Sequence, residues 1–536
     1  MHGLMQDWPL TLDKIFDHAQ RWHGGREVVS RDGEGRITRT TYAQMHGRAK
    51  QVSNALKAFG IAPGERVATM GWNGARHLEA WYGTIGIGAV LHTLNPRLFP
   101  EQITYIINHA EDRIILADPA CKPLLDQLLP DCPTVEKVIY LSDAPGEYES
   151  WIGTHTDDCA WGGFDEQTAA GLCYTSGTTG NPKGVLYGHR SNYLHCMMSL
   201  QADALALSAR DTVLLVVPMY HANAWGVVYS APAVGAKLVL PGQRMDGASI
   251  HELIETEGVT YSAAVPTVWQ MLLNHLKATG GKLTTLQRVT IGGSAVPESL
   301  IRTLHDDYGV DVIQGWGMTE TSPLATVSVP TPEVAKLSFE DQVPYKLKAG
   351  RLLCNLDLKL TDDAGQRLPH DGHTFGRLMI KGPTVAASYF RGEGGEVLDE
   401  EGFFDTGDVA TIDPDGYMAI TDRAKDVIKS GGEWISSIDV ENIAVGHPAA
   451  ELCAVIGVAH PKWDERPVLL VKLRPGHAAE PADFLAYLDG KIARWWMPDD
   501  VVIVDDIPLG ATGKIDKKLL RQQMAGYRLP ARETAR

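Results

Sequence analysis

The sequence predicts an α/β protein. A large N-terminal domain should hold two α/β subdomains with mainly parallel sheets plus a β-rich subdomain, with a small C-terminal α+β domain after it. Short apolar runs alternate with amphipathic helical stretches through most of the N-terminal part, the pattern of parallel strands covered by their crossover helices. From about residue 350 to residue 420 the pattern changes to shorter strands and Gly/Asp turns, such as Asp362-Asp363-Ala364-Gly365 and Asp413-Pro414-Asp415-Gly416. The remainder restarts with an apolar strand of its own at 468–473. A chain of 536 residues suits this division, since domains run about 100–200 residues each.

Residues 66–70, 113–117, 137–141, 213–217 and 287–291 are short apolar runs and predict buried strands. Residues 42–59 and 249–257 repeat their apolar side chains at spacings of three and four, which predicts amphipathic helices. Residues 169–173 predict a further strand, residues 193–207 a helix, and residues 517–524 a C-terminal helix. The N-terminal domain is placed at 1–422, a linker at 423–426 and the C-terminal domain at 427–536. No internal repeat or low-complexity tract is visible.

Composition excludes several classes. Hydrophobic residues make up 44% and charged residues 21%, so disorder and membrane bundles are poor descriptions. The net charge of −17 repels a nucleic-acid backbone, so nucleic acid is not expected as a partner. Seven cysteines, none in a C-x-x-C pair, argue against a disulfide framework and a zinc knuckle, and fit a reducing, cytoplasmic setting. No apolar run approaches the ~18 residues of a membrane span, and the first residues lack a signal-peptide pattern, so no stable membrane insertion is expected.

The most informative segment runs from Tyr174 to Val185. It contains Thr175, Ser176, Gly177, Thr178, Thr179, Gly180 and Lys183, and it follows the predicted strand. Glycines let the backbone turn its amides inward, the hydroxyls add short donors and the lysine adds a cation, which together make a polyphosphate cradle. It is not a Walker A loop, because Pro182 stands where the glycine before the lysine belongs.

This string resembles that of the AMP-forming adenylate synthetases: acyl-CoA synthetases, peptide-synthetase adenylation domains and firefly luciferase. Further segments resemble that family's motifs in the family's order: 220–226, 315–320, 402–408, 422–426, 430–435 and 508–514. The resemblance implies that a carboxylic acid attacks the α-phosphorus of ATP to give an acyl-adenylate and pyrophosphate, and that coenzyme A then takes the acyl group and releases AMP. It implies phosphate contacts from Thr175 to Gly180 and Lys183, and Mg²⁺ held by Thr178 and Glu320. Ribose hydroxyls fall to Asp408, with Arg423 on ribose or phosphate. Trp316 is expected against adenine, and Gly293, Ser294, Ala295, Gln314, Gly315, Gly317, Met318 and Thr319 along the nucleotide. Lys514 becomes the cation delivered to the reacting carboxylate and α-phosphate. The resemblance also makes the C-terminal domain mobile. Lys425 is its hinge, and rotation brings Gly431, Gly432, Glu433 and Trp434 toward the pantetheine of CoA. A homodimer is expected on family grounds alone.

The acyl pocket is assigned to His221, Trp225, Gly315, Gly317 and Pro323, with Trp225 resembling the gate tryptophan of bacterial fatty-acyl-CoA synthetases. No acidic partner for an amino-acid ammonium is visible near His221. The expected acid is a medium- or long-chain fatty acid, and the rivals are 3-methylmercaptopropionate and aryl acids. A non-catalytic nucleotide-binding protein is the alternative of another class.

Overall fold

The computed structural model describes residues 1, 3–142, 146–175, 181–424, 426–430, 433–510 and 515–529. Four sheets organise them. A six-stranded sheet runs in the order Lys137–Tyr140, Ile114–Ala117, Arg66–Met70, Val90–Leu94, Ala169–Tyr174, Gly184–Gly188. It is parallel apart from its last pair. A nine-stranded sheet runs from Arg351–Leu352 to Ile37–Thr41. Its parallel centre comprises Asp311–Gly317, Arg288–Gly292, Tyr261–Ala264, Thr212–Leu215, Lys237–Leu240 and Glu27–Arg31. The expected β-rich region is a five-stranded antiparallel sheet ending in Phe404–Ile412 and Met418–Arg423. The fourth sheet centres on the long antiparallel pair Ala450–His460 and Asp464–Leu473, with Asp500–Val504 added in parallel and helices Ser437–Ala444, Pro481–Leu488 and Lys517–Gln523 around it.

Local signals explain the helices that cover the sheets. Helix Tyr42–Phe59 starts in a reciprocal cap, with the Thr41 hydroxyl accepting from Gln44 N and the Gln44 side chain accepting from Thr41 N, and stops at Gly60 with φ 95°. Its apolar stripe, including Tyr42, Met45, Ala49, Val52 and Leu56, is buried.

The two large sheets are joined by buried helices. Tyr82 on helix Ala75–Ile85 donates to the Val228 carbonyl at 2.8 Å, and Trp81 donates to the Tyr229 hydroxyl at 3.1 Å. These aromatics sit in the largest core cluster, where their polar tips need partners because burial removes water.

One expectation is corrected. The glycine-rich segment is followed not by the helix predicted at 193–207 but by the strand Gly184–Gly188, and the helix that comes next is His189–Ser199. The strand was missed because Gly184 and Gly188 bound a run of three residues, too short to show a period of two. Helix Lys517–Gln523 agrees with expectation. All seven cysteines are free, and six are buried.

Candidate active site

The site lies where the parallel strands of the nine-stranded sheet end, next to the hairpin Ala169–Tyr174/Gly184–Gly188 and the β-rich sheet. Ligands in open α/β sheets bind outside the carboxyl ends of the strands. Thr175 N donates to the Lys183 carbonyl at 2.8 Å.

Strand Asp311–Gly317 carries Gln314, Gly315, Trp316 and Gly317 into the site. Facing it in register is Gly292 opposite Gly315. A Cβ on Gly292 would stand 2.6 Å from the Gly315 carbonyl oxygen and 3.4 Å from the Trp225 ring, so the glycine keeps that space open beside the tryptophan. Gly293 then turns the chain with φ 82°, placing Ser294 and Ala295 at the strand end. A Cβ on Gly317 would overlap the Pro323 carbonyl, so only glycine fits there. Gln314 is 7% exposed, and its side-chain oxygen has no hydrogen-bond partner among the described residues.

Two buried carboxylates define the polar side. Asp408, 3% exposed, accepts from the Trp316 indole N–H at 2.9 Å through one oxygen, and its other oxygen lies 2.9 Å from the Arg423 Nε. Asp408 and Arg423 are cross-strand partners in the β-rich sheet, which is why they meet. Glu320, 6% exposed, sits in the turn Thr319–Thr321 and accepts from the Tyr389 hydroxyl at 2.6 Å. Burial pushes the Glu320 carboxyl up from its ordinary range, opposed by the Tyr389 hydrogen bond and the Arg423 charge. The turn is pinned from the hairpin side as well, because Tyr187 donates to the Thr319 carbonyl at 2.8 Å. Lys183 Nζ lies 4.8 Å from the centre of the Tyr389 ring.

On the apolar side, Asn73 fixes the approach to residues 220–226. Its amide donates to the Leu215 and Val217 carbonyls at 2.7 and 2.8 Å, and its oxygen accepts from Met219 N at 2.7 Å. Beyond His221, the residues Ala222, Asn223, Ala224 and Trp225 all have positive φ, from 41° to 57°. Left-handed turns cost roughly 1–2 kcal/mol per non-glycine residue. Such strain persists where surroundings impose it, commonly at functional sites. Leu324 N donates to His195 Nε2 at 3.0 Å, and burial lowers the His195 pKa to about 4, so the ring is neutral and acts as an acceptor.

Residues 15–390 match the family model for the AMP-binding enzyme, and residues 439–514 match that for the AMP-binding enzyme C-terminal domain. The chain belongs to the AMP-binding enzyme family. It is 48% identical to a 3-methylmercaptopropionyl-CoA ligase of Ruegeria lacuscaerulensis, covering 98% of this chain and 99% of that one. It is 47% identical to a medium-chain-fatty-acid–CoA ligase of Ectopseudomonas oleovorans, covering 98% and 97%. The solved anthranilate CoA ligase AuaEII, in complex with anthranoyl-AMP, superposes with a TM-score of 0.86 at 25% identity, covering 97% of this chain and 99% of that one. The chain's class within the AMP-binding family is that of the adenylate-forming acyl-CoA ligases, which use ATP and CoA.

Of the residues singled out from the sequence, the fold brings together Glu320, Asp408, Arg423, Trp316 and Lys183 on one side, and Trp225, Gly315, Gly317 and Pro323 with the backbone of His221 on the other. Trp316 spends its indole N–H on Asp408. Ser176, Gly177, Thr178, Thr179, Gly180, Lys425, Gly431, Gly432 and Lys514 lie outside the described residues. Glu433 and Trp434 are described only as the backbone of strand Glu433–Ile435. Tyr389, Tyr187, Asn73 and His195 were not expected. Only Tyr389 left a sequence signal, an aromatic pair with Phe390 in a run of small residues and glycines. No helix among the described residues is long and apolar enough to cross a membrane.

Proposed function

We propose that the protein joins a medium- or long-chain fatty acid to coenzyme A at the expense of ATP, with AMP and pyrophosphate as products. The observation that carries the reading is the pair of buried carboxylates, Asp408 and Glu320, held by Trp316, Arg423 and Tyr389 at the strand ends beside the Tyr174-to-Val185 segment. Asp408 accepts the ribose diol, since each carboxylate oxygen has a lone pair left after its contact to Trp316 or Arg423. The unpartnered Gln314 oxygen offers an acceptor to the nucleotide base. Lys183 and the hydroxyls and amides from Thr175 to Gly180 hold the β- and γ-phosphates.

Glu320 and Thr178 would suit Mg²⁺, because both offer hard oxygens and a nearby cation favours the charged form that burial disfavours in Glu320. Bound there, Mg²⁺ supplies charge neutralisation at phosphate oxygens as pyrophosphate leaves. Lys514 steers the acid's carboxylate oxygen onto the α-phosphorus, and the bond to the β-phosphate oxygen breaks. In the second step the CoA sulfur attacks the acyl carbonyl, its proton is lost and the bond to AMP oxygen breaks. Rotation about Lys425 brings residues 431–434 to the thiol's path. Trp225 and the left-handed turn close the acyl side and exclude water from the hydrolysable anhydride.

A second acid, 3-methylmercaptopropionate, is supported by the 48% identical relative named for it. CoA-dependent AMP release over straight-chain acids, aryl acids and methylmercaptopropionate tests both readings. Preference for straight chains supports the first, and preference for the thioether acid replaces it with the second. No release with any acid sinks the ligase assignment.

A further inference from the structure

We propose that Tyr389 is a positioning residue of the phosphate site: its hydroxyl aims the Glu320 carboxylate while its ring face seats Lys183. The inference rests on the function proposed above. Tyr389 belongs to the segment leading from strand Gly376–Lys381 toward Phe404–Ile412, in the β-rich sheet, whereas Glu320 lies between strands Asp311–Gly317 and Leu324–Val327 of the nine-stranded sheet and Lys183 belongs to the hairpin. One side chain therefore touches charged groups from both large sheets.

The segment is fixed where it crosses the Glu320 turn. Ser322 Oγ donates to the Thr384 carbonyl at 2.8 Å, and Ala386 N donates to the Glu320 carbonyl at 2.8 Å. Both bonds hold backbone, so the Tyr389 hydroxyl reaches Glu320 Oε1 at 2.6 Å from a rigid base. The second Glu320 oxygen accepts no side-chain hydrogen bond from another described residue, and that oxygen is the one presented to a metal. Carboxylates that bind metals are oriented in this way by outer hydrogen bonds.

The ring does separate work. Lys183 Nζ sits 4.8 Å from its centre, within the range of attraction between an ammonium and an aromatic face. Gly394, with φ 80°, leaves the room for this, since a Cβ there would stand 2.6 Å from Lys183 Nζ. The lysine is thus held on one face with no carboxylate ion-paired to it among the described residues, and its charge is turned to phosphate. Hydroxyl and ring can be removed one at a time.

Calorimetric ATP binding, with Mg²⁺ and in EDTA, and the Mg²⁺ dependence of ATP–pyrophosphate exchange are compared for wild type, Tyr389→Phe, Tyr389→Leu, Glu320→Gln and the double variant Glu320→Gln/Tyr389→Phe. Outer-shell partners typically contribute about 10–100-fold to metal affinity, so Tyr389→Phe is expected to need at least ~10-fold more Mg²⁺ for half activation. Its ATP affinity in EDTA should match wild type, because the ring stays. Tyr389→Leu should also weaken ATP binding in EDTA. The double variant should be no worse in Mg²⁺ than Glu320→Gln alone. A wild-type Mg²⁺ curve for Tyr389→Phe overturns the proposal. So does equal loss with and without Mg²⁺ together with a lowered melting temperature, the mark of a merely structural tyrosine. Wild type without Mg²⁺-dependent exchange overturns the functional reading itself, whereas an exchanging wild type with an unaffected Tyr389→Phe removes only the role of Tyr389.

Discussion

Replacing Asp408 by asparagine keeps its size and removes its charge, so the loss is computable from its contacts. One oxygen accepts the Trp316 indole N–H, and the other is ion-paired with Arg423 Nε at 2.9 Å. An asparagine can face only one of them with oxygen. The other group then meets an NH₂ in place of an acceptor, which lowers stability. Binding suffers by a different route. Hydrogen bonds to a charged group are worth roughly 1.5–3 kcal/mol against 0.5–1.5 for neutral pairs. Two ribose hydroxyls therefore lose about 2 kcal/mol together, and at ~1.4 kcal/mol per tenfold that is ~30-fold in ATP affinity. Asp408→Asn is accordingly expected to raise the KM for ATP about 30-fold, by the same arithmetic, in pyrophosphate exchange. It should also show a reduced preference for ATP over 2′-deoxy-ATP and a lower melting temperature. An asparagine variant with the wild-type KM and the wild-type preference would show that Asp408 does not hold the ribose, and the assignment of the nucleotide side would have to be abandoned.

Three further outcomes are expected. Lys514→Ala should lower adenylate formation by ~10²–10³, the usual loss for a preorganised charged donor, while thioester formation from supplied acyl-AMP survives; loss of both half-reactions together counts against its role. Trp225→Ala should broaden the range of accepted acids and raise ATP use without acyl-CoA formation, measured as the ratio of AMP to thioester, and an unchanged ratio removes the gate. His195 titrates in the folded state at about 4, below its ordinary 6.5. Its stabilising contribution is therefore complete above pH 6.5 and is lost as pH falls toward 4. Urea unfolding should show wild type losing about 2 kcal/mol more than His195→Gln between pH 8 and pH 5, from linkage over that interval; equal slopes for the two proteins refute the assignment of a buried neutral imidazole.

How much was legible depended on whether the information is local. Helix Tyr42–Phe59 was readable because its cap, its apolar stripe and Gly60 lie in one stretch of chain. The strand Gly184–Gly188 was not, because its pairing with Ala169–Tyr174 decides it, not its own three central residues. Asp408 and Trp316 each stand in a motif visible in the sequence, but their contact is not visible there. Nothing in the sequence shows that a strand from another sheet delivers the carboxylate to the indole N–H. Tyr389 escaped because its meaning comes from Glu320, far away in the chain, and Asn73 because its three hydrogen bonds go to strand Thr212–Leu215 and the segment just after it, far away in the chain.

The sequence by itself determined the chemistry on offer: a glycine- and hydroxyl-rich segment, two acidic residues and a lysine late in the chain, in an order that points to one family, within an alternating α/β pattern. Those are statements about residue type and spacing, which one strand of chain carries intact. Only the tertiary structure decided which groups face each other. Glu320 and Asp408 become neighbours because three sheets converge on them. Convergence strips their water, and Tyr389 and Trp316 supply hydrogen bonds and Arg423 an ion pair in its place.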